Sequence, residues 1–321
     1  MSAIRIFDLR EVSAAMPKDI DHMIVSASYE ERAYGIWEHV HGGVKGRKFI
    51  CFNANHESYL RDNVTRFREV DQEASLVSLD SNDPYVTFEA IRAVVDGLRD
   101  AGACHLAVDL TGFTREALAI LIYLAKWRLA PGSRVTAFYH KAKRYGRTPK
   151  KGWLTQGVRE VRSVLGYAGQ MRISANTHLV LLAGFETERA QEIIDTIEPG
   201  LLSLGMIGGP QPVPVEPNPH DETLKEFTAR VRSFYAGAQL DEFPFSSSDP
   251  LFTRDSILEV AKKSKRNVIL ACLNSKPAMV GACLAAIEYP MIQLIYAQPL
   301  YYNTTSYSEP SGKILLFSVP L

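Results

Sequence analysis

The sequence lacks almost every short motif that would announce a familiar chemistry. Neither GxGxxG nor GxxxxGK[ST] occurs, which argues against an ordinary nicotinamide dehydrogenase and against a P-loop ATPase. GxSxG is missing too, and with it the usual hydrolase elbow. Without HExxH or CxxC, and with His39 and His41 two residues apart and so on different faces of one expected helix, no metal site and no cofactor is expected. The four cysteines, Cys51, Cys104, Cys272 and Cys283, are scattered and at least three lie in apolar runs, the pattern of buried reduced thiols in a cytoplasmic protein. Long apolar stretches are absent as well. The most apolar one, Ala117 to Ala125, ends at Lys126 and is about half the length of a membrane span. The first residues alternate apolar with charged and hold no secretory core. Net charge is missing: 36 basic residues balance 36 acidic ones, so no overall field draws duplex nucleic acid or an anionic membrane. Phosphate recognition, if any, must be local.

What the sequence does contain is a repetition. An apolar strand followed by Tyr29-Glu30-Glu31-Arg32-Ala33 returns as an apolar strand followed by Phe185-Glu186-Thr187-Glu188-Arg189-Ala190, and Arg32 and Arg189 are 157 positions apart. The Tyr-x5-Tyr of Val135 to Gly146 returns in Ile292 to Asn303 at the same offset of 157. Two distant matches at one spacing point to an internal duplication. With 321 residues, 46% hydrophobic and 22% charged, the chain has room for two ordinary globular domains.

In the first half, strand-like runs near 22–27, 47–53, 74–80, 104–110 and 133–139 alternate with helical runs near 29–41, 57–70, 84–101 and 114–128. The second half reads alike, with strands near 178–183, 200–206, 240–245, 267–273 and 291–297 and helices near 187–198, 221–236, 251–264 and 276–288. This predicts an α/β protein of two tandem Rossmann-like parallel-sheet units. In each, the first and fourth strands lie side by side at the switch point. The expected division is residues 1–145, a basic and helical linker over 146–176, and residues 177–321 with a proline-rich insertion over 208–219. A last strand, Ile314 to Val319, is expected at a sheet edge. Lys141 to Lys151 holds six basic residues and no acid, the composition of a solvated linker or of a phosphate contact.

Ligands of open parallel sheets sit at the carboxyl ends of the strands. Four loops meet that description: 26–32, 109–115, 183–189 and 272–277. Ser28 and Glu31 have capping-box spacing, and Thr114 and Ser275 are placed to cap helices. Arg32, Arg115, Arg189 and Lys276 fall in first helical turns, where the amide dipoles disfavour a cation by roughly 0.3–1 kcal/mol. Either a protein carboxylate (Glu30, Asp109 or Glu186) or a ligand phosphate offsets that cost. Ser28, Asp109, Thr111, Thr114, Asn274 and Ser275 would orient such a ligand. Tyr139 and Tyr145 of the first half, and Tyr296, Tyr302 and Tyr307 of the second, would stack on bases or else be buried with satisfied hydroxyls.

The run Asp109-Leu110-Thr111-Gly112-Phe113-Thr114-Arg115 resembles the ligand loop of the CRISPR-associated Rossmann-fold (CARF) sensors, Asp-[Leu/Ile]-Thr-Gly-Gly-Thr-Lys, with Phe113 in place of a glycine and Arg115 in place of the lysine. Asn274-Ser275-Lys276 is a fainter echo. The resemblance implies paired units that bind a nucleotide, in that family a cyclic oligonucleotide, in a sensor or regulatory subunit of a bacterial defence or stress system. A partner protein would then supply the output. The opening strand-Ser-x-Ser-Tyr-Glu-Glu-Arg also looks like the start of TIR and nucleoside deoxyribosyltransferase-like domains, which implies N-glycosidic cleavage with Glu30 or Glu31, or Glu186 or Glu188, as the catalytic carboxylate. A docking subunit without catalysis is the third reading.

Overall fold

The computed structural model describes residues 4–145, 153–208, 221–235, 239–305 and 307–321, the side chains of 56–61 and 221–224 excepted. The elements are β1 (Arg5–Asp8), α1 (Val12–Ala15), β2 (His22–Ser26), α2 (Arg32–Val40), β3 (Lys48–Asn53), α3 (Glu57–Val70), β4 (Ser75–Leu79), α4 (Pro84–Arg99), β5 (His105–Asp109), α5 (Arg115–Arg128) and β6 (Arg134–Tyr145). They continue with β7 (Thr155–Ser163), β8 (Thr177–Leu182), α6 (Thr187–Ile197), β9 (Leu201–Ile207), α7 (Asp221–Phe234), β10 (Gln239–Phe245), α8 (Pro250–Lys263), β11 (Asn267–Cys272), α9 (Lys276–Glu288), β12 (Ile292–Tyr302) and β13 (Ser308–Val319).

The strands form two sheets, β1-β13-β6-β5-β2-β3-β4 and β10-β9-β8-β11-β12-β7. Within each, five strands run parallel in one order: β4-β3-β2-β5-β6 and β10-β9-β8-β11-β12. The first and fourth strands of each five, β2 with β5 and β8 with β11, pair directly, as expected. Both faces of each sheet are covered. Met23, Ile24 and Val25 point alternately to opposite sides and all are buried, and so are Leu179, Val180 and Leu181. On one face of the first sheet Met23, Val25 and Ile50 pack with Trp37 and Phe67; in the second, Leu179 and Leu181 pack with Ile193, Phe227 and Val231.

Helices α4 and α8 begin on a capping aspartate followed by proline. Asp83 accepts from the amides of Tyr85 and Val86 ahead of Pro84, and Asp249 accepts from those of Leu251 and Phe252 ahead of Pro250. Each aspartate satisfies first-turn amides, and each proline occupies a first turn that has no use for its missing donor. All four cysteines are buried and form no disulfide. Burial pushes the Cys51 and Cys283 thiols up to about 12. Among the described residues no helix is long and apolar enough to cross a membrane.

The units do not divide the chain at one point. One comprises 1–152 with 304–321, the other 153–303. The strand that follows β6 in sequence, β7, pairs antiparallel with β12, whereas β13, which follows β12, pairs antiparallel with β6. The duplicated halves have therefore exchanged their last strands. The expected linker over 146–176 contains β7, and the expected edge strand at 314–319 lies inside its sheet, between β6 and β1. Positions 146–151 of the basic run and 209–219 of the proline-rich insertion lie outside the described residues.

Candidate functional site

At the carboxyl end of the first sheet the chain leaves β2 and turns through Ser28, Tyr29 and Glu30 before α2 begins at Arg32. Helix α2 takes Glu31 rather than Ser28 as its N-cap residue. Ser28 Oγ instead accepts from the Glu30 amide at 3.3 Å, Asn63 Nδ2 donates to Ser28 O at 2.5 Å, and Glu31 is exposed. Glu30 turns inward. Its Oε2 takes Arg32 Nε at 2.6 Å and the Ser308 hydroxyl at 2.5 Å, and both charged side chains are almost wholly buried, at 4% and 1% exposure.

Arg32 is held on every side. Nε also donates to Ser308 Oγ at 3.0 Å, Nη1 donates to His140 O on β6 at 2.6 Å, and the rings of Tyr139 and Tyr145 lie 5.4 and 5.7 Å from the guanidinium carbon. Burial alone would lower the pKa of Arg32. The Glu30 carboxylate, with Tyr139 and Tyr145, holds it well above the ordinary value. The two tyrosine hydroxyls bond each other at 3.1 Å, and burial raises the Tyr145 phenol. Tyr307 packs edge-on to Tyr29 at 5.5 Å and to Tyr145 at 6.2 Å. It was expected among the aromatics of the second half, and the strand exchange brings it here.

The second unit repeats this arrangement. Arg189 Nη1 donates to Glu186 Oε2 at 2.8 Å, Nη2 donates to Ala297 O on β12, and the Tyr296 ring lies 5.3 Å away. Tyr296 and Tyr302 hydroxyls bond at 3.1 Å. The hydroxyl on Glu186 comes from Thr155 of β7. Thr155 lies opposite Tyr302 just as Ser308 lies opposite Tyr145, so the exchanged strand supplies the same group in both units. Sequence reasoning missed Thr155, because its strand reads as linker.

The loops after β5 and β11 are stitched to their own sheets. Asp109 Oδ1 accepts the Thr111 amide at 2.9 Å and the Thr111 hydroxyl at 2.5 Å, and Thr111 Oγ1 accepts the His140 amide at 3.0 Å. Gly112 lies against the end of β2 so closely that a Cβ would sit 1.9 Å from Ser26 O; a Cβ on Gly184 would sit 1.9 Å from Leu273 O. In the second unit Asn274 Nδ2 adds a bond to Ala183 O at 2.5 Å, while its Oδ1 accepts the Ser275 amide. Thr114 and Ser275 do cap α5 and α9, accepting from Ala117 and Ala278 amides at 3.2 Å each. The next residues, Arg115 and Lys276, open these helices with partly exposed side chains.

The predicted residues therefore fall into two layers. Ser28, Glu30, Arg32, Asp109, Thr111, Tyr139, Glu186, Arg189, Asn274, Tyr296 and Tyr307 are buried, whereas Thr114, Arg115, Tyr145, Ser275, Lys276 and Tyr302 reach solvent in part.

No family model matches the chain. No curated protein matches it either. Similar solved structures include the mitomycin 7-O-methyltransferase MmcR (12% identity over 41% of this chain and 36% of that one, TM-score 0.27). They also include Aeropyrum pernix fibrillarin in complex with S-adenosyl-L-methionine (12%, 49% of this chain and 68% of that one, 0.26) and the UDP-GlcNAc 2-epimerase of Neisseria meningitidis bound to UDP-GlcNAc (12%, 81% and 80%, 0.26).

Proposed function

We propose that this chain binds a nucleotide or short oligonucleotide, a cyclic one included, at the carboxyl ends of its parallel strands, and serves as a sensor or regulatory subunit whose bound state is read by a partner protein. One observation carries the reading. In both units the helix after the fourth parallel strand opens with a capping hydroxyl and then a partly exposed cation, Thr114-Arg115 and Ser275-Lys276. At α5 the first-turn amides, the Thr114 hydroxyl and the Arg115 guanidinium are the donors a phosphate needs; at α9, where Pro277 has no amide and the Ser275 hydroxyl is donated to Ser247 O, Lys276 is the donor offered. The CARF-like run 109–115 supplies one of these two positions. Arg32 and Arg189 follow the carboxylate alternative that the sequence left open beside a ligand phosphate. Glu30 and Glu186 neutralise them internally, so they anchor the loops that frame the site. Glycosidic cleavage by Glu30 gains no support from this geometry, since its carboxylate already serves Arg32 and Ser308.

Thermal unfolding of the purified chain with cyclic and linear oligonucleotides, NAD and nucleosides tests the reading. A ligand at a hundred times its Kd adds about 2.7 kcal/mol to folding. Arg115→Ala and Lys276→Ala should remove that gain and leave the unliganded stability within about 1 kcal/mol. A ligand whose effect survives both substitutions would move the site elsewhere. Absence of any shift would discard nucleotide binding, and release of nicotinamide or free base would favour the glycosidase.

A further inference from the structure

Asn303 clips together the two ends of the second unit. Its amide donates to Leu154 O and its Nδ2 to Trp153 O, each at 2.9 Å, so the chain enters and leaves residues 153–303 at one place. The first unit is interrupted at that place. Its β6 precedes the interruption and β13 follows it, yet the two pair along most of their length, from Ser308 opposite Tyr145 to Val319 opposite Val135. On β13, Ile314 and Leu316 belong to the first core, and Ser308 completes the Glu30–Arg32 cluster.

We infer that the second unit acts as a folded clasp on the first: its native state delivers β13 to β6, and its unfolding releases that strand. The argument is one of chain entropy. With the ends of the second unit clipped, β6 and β13 are joined in effect by roughly a dozen residues; with that unit unfolded, the same strand is tethered by a loose segment of roughly 160. Loop closure varies as about the three-halves power of length, so the effective concentration of β13 at β6 falls about fiftyfold. The coupling is reciprocal. A ligand that stabilises the second unit tightens β13 and the Ser308 contacts in the first, and the seating of β13 supports the second unit by the same factor. This holds whatever that ligand is.

The test uses the full chain. Trp127 and Trp153, 60% and 36% exposed, are replaced by phenylalanine, which leaves fully buried Trp37 to report on the first unit. Leu202→Asp, in the core of the second unit, is then added to unfold residues 153–303. At fixed urea the folding constant reported by Trp37 should fall about fiftyfold. A Trp37 curve that does not move would overturn the clasp. Hydrogen exchange provides a second measurement in the same Leu202→Asp chain: the β13 amides over 314–319 should quicken up to about fiftyfold, and unchanged β13 exchange would equally overturn the inference.

Discussion

Ser308 donates its hydroxyl to Glu30 Oε2 at 2.5 Å across a sequence separation of 278 residues. Through this bond the strand exchange reaches the buried charge of the first unit. Ser308→Ala leaves the carboxylate with one donor fewer and Arg32 Nε with one acceptor fewer, both in a buried setting. The expected cost is about 1–3 kcal/mol, measured by urea unfolding. Thr155→Ala should give a similar loss in the second unit, and Ser308→Thr, which keeps the hydroxyl, a smaller one.

Glu186 and Arg189 form an ion pair with 5% and 2% side-chain exposure. Arg189→Met strands the Glu186 carboxylate in the interior without its guanidinium, and about 3–5 kcal/mol should be lost. Combining it with Glu186→Gln removes the stranded charge. A double-mutant cycle should therefore show the pair of substitutions costing less than the sum of the single ones.

The contact between Gly112 and Ser26 O leaves no room for a methyl group. Gly112→Ala should destabilise by about 1–3 kcal/mol or more, because two backbone segments rather than a mobile side chain must give way. Gly42→Ala, where a Cβ meets nothing within 4 Å, is the matched control and should unfold at nearly the wild-type denaturant concentration.

His140 accepts the Gly312 amide at Nε2, 3.2 Å away, so its Nδ1 carries the proton and donates to Arg32 O at 3.0 Å. Burial holds its pKa down to about 4, from an ordinary 6.5. Burial does the same to His178, also about 4. Both groups are neutral in the fold and bind a proton more readily when unfolded, so stability is full above about pH 6.5 and falls as the pH drops toward 4. His140→Gln should flatten that decline when denaturant midpoints are followed from pH 7 to pH 4.

Much of this fold was legible. Strands such as Met23-Ile24-Val25 and Leu179-Val180-Leu181 are continuous apolar runs, and the offset of 157 between Arg32 and Arg189 marked them as one position in two copies. The exchange was not legible. Strand propensity tells which residues extend but not which of two like-built sheets receives them, and β7, Thr-Gln-Gly-Val-Arg-Glu-Val-Arg-Ser, shows the polar alternation of an edge and so resembles a linker. At the candidate site the cations were placed correctly in first helical turns. For Arg32 and Arg189 the neutralising group proved to be a carboxylate of the chain, two residues away in one unit and three in the other. The third partner is a hydroxyl on a distant strand, and local spacing holds no trace of it.

Pairing of β6 with β13 also sets a timetable for biosynthesis. One side of β6 bears amides and carbonyls whose partners are translated roughly 170 residues later, an interval on the order of ten to thirty seconds at about 5–20 residues per second. Throughout that wait the nascent protein exposes a hydrogen-bonding rim to whatever lies nearby.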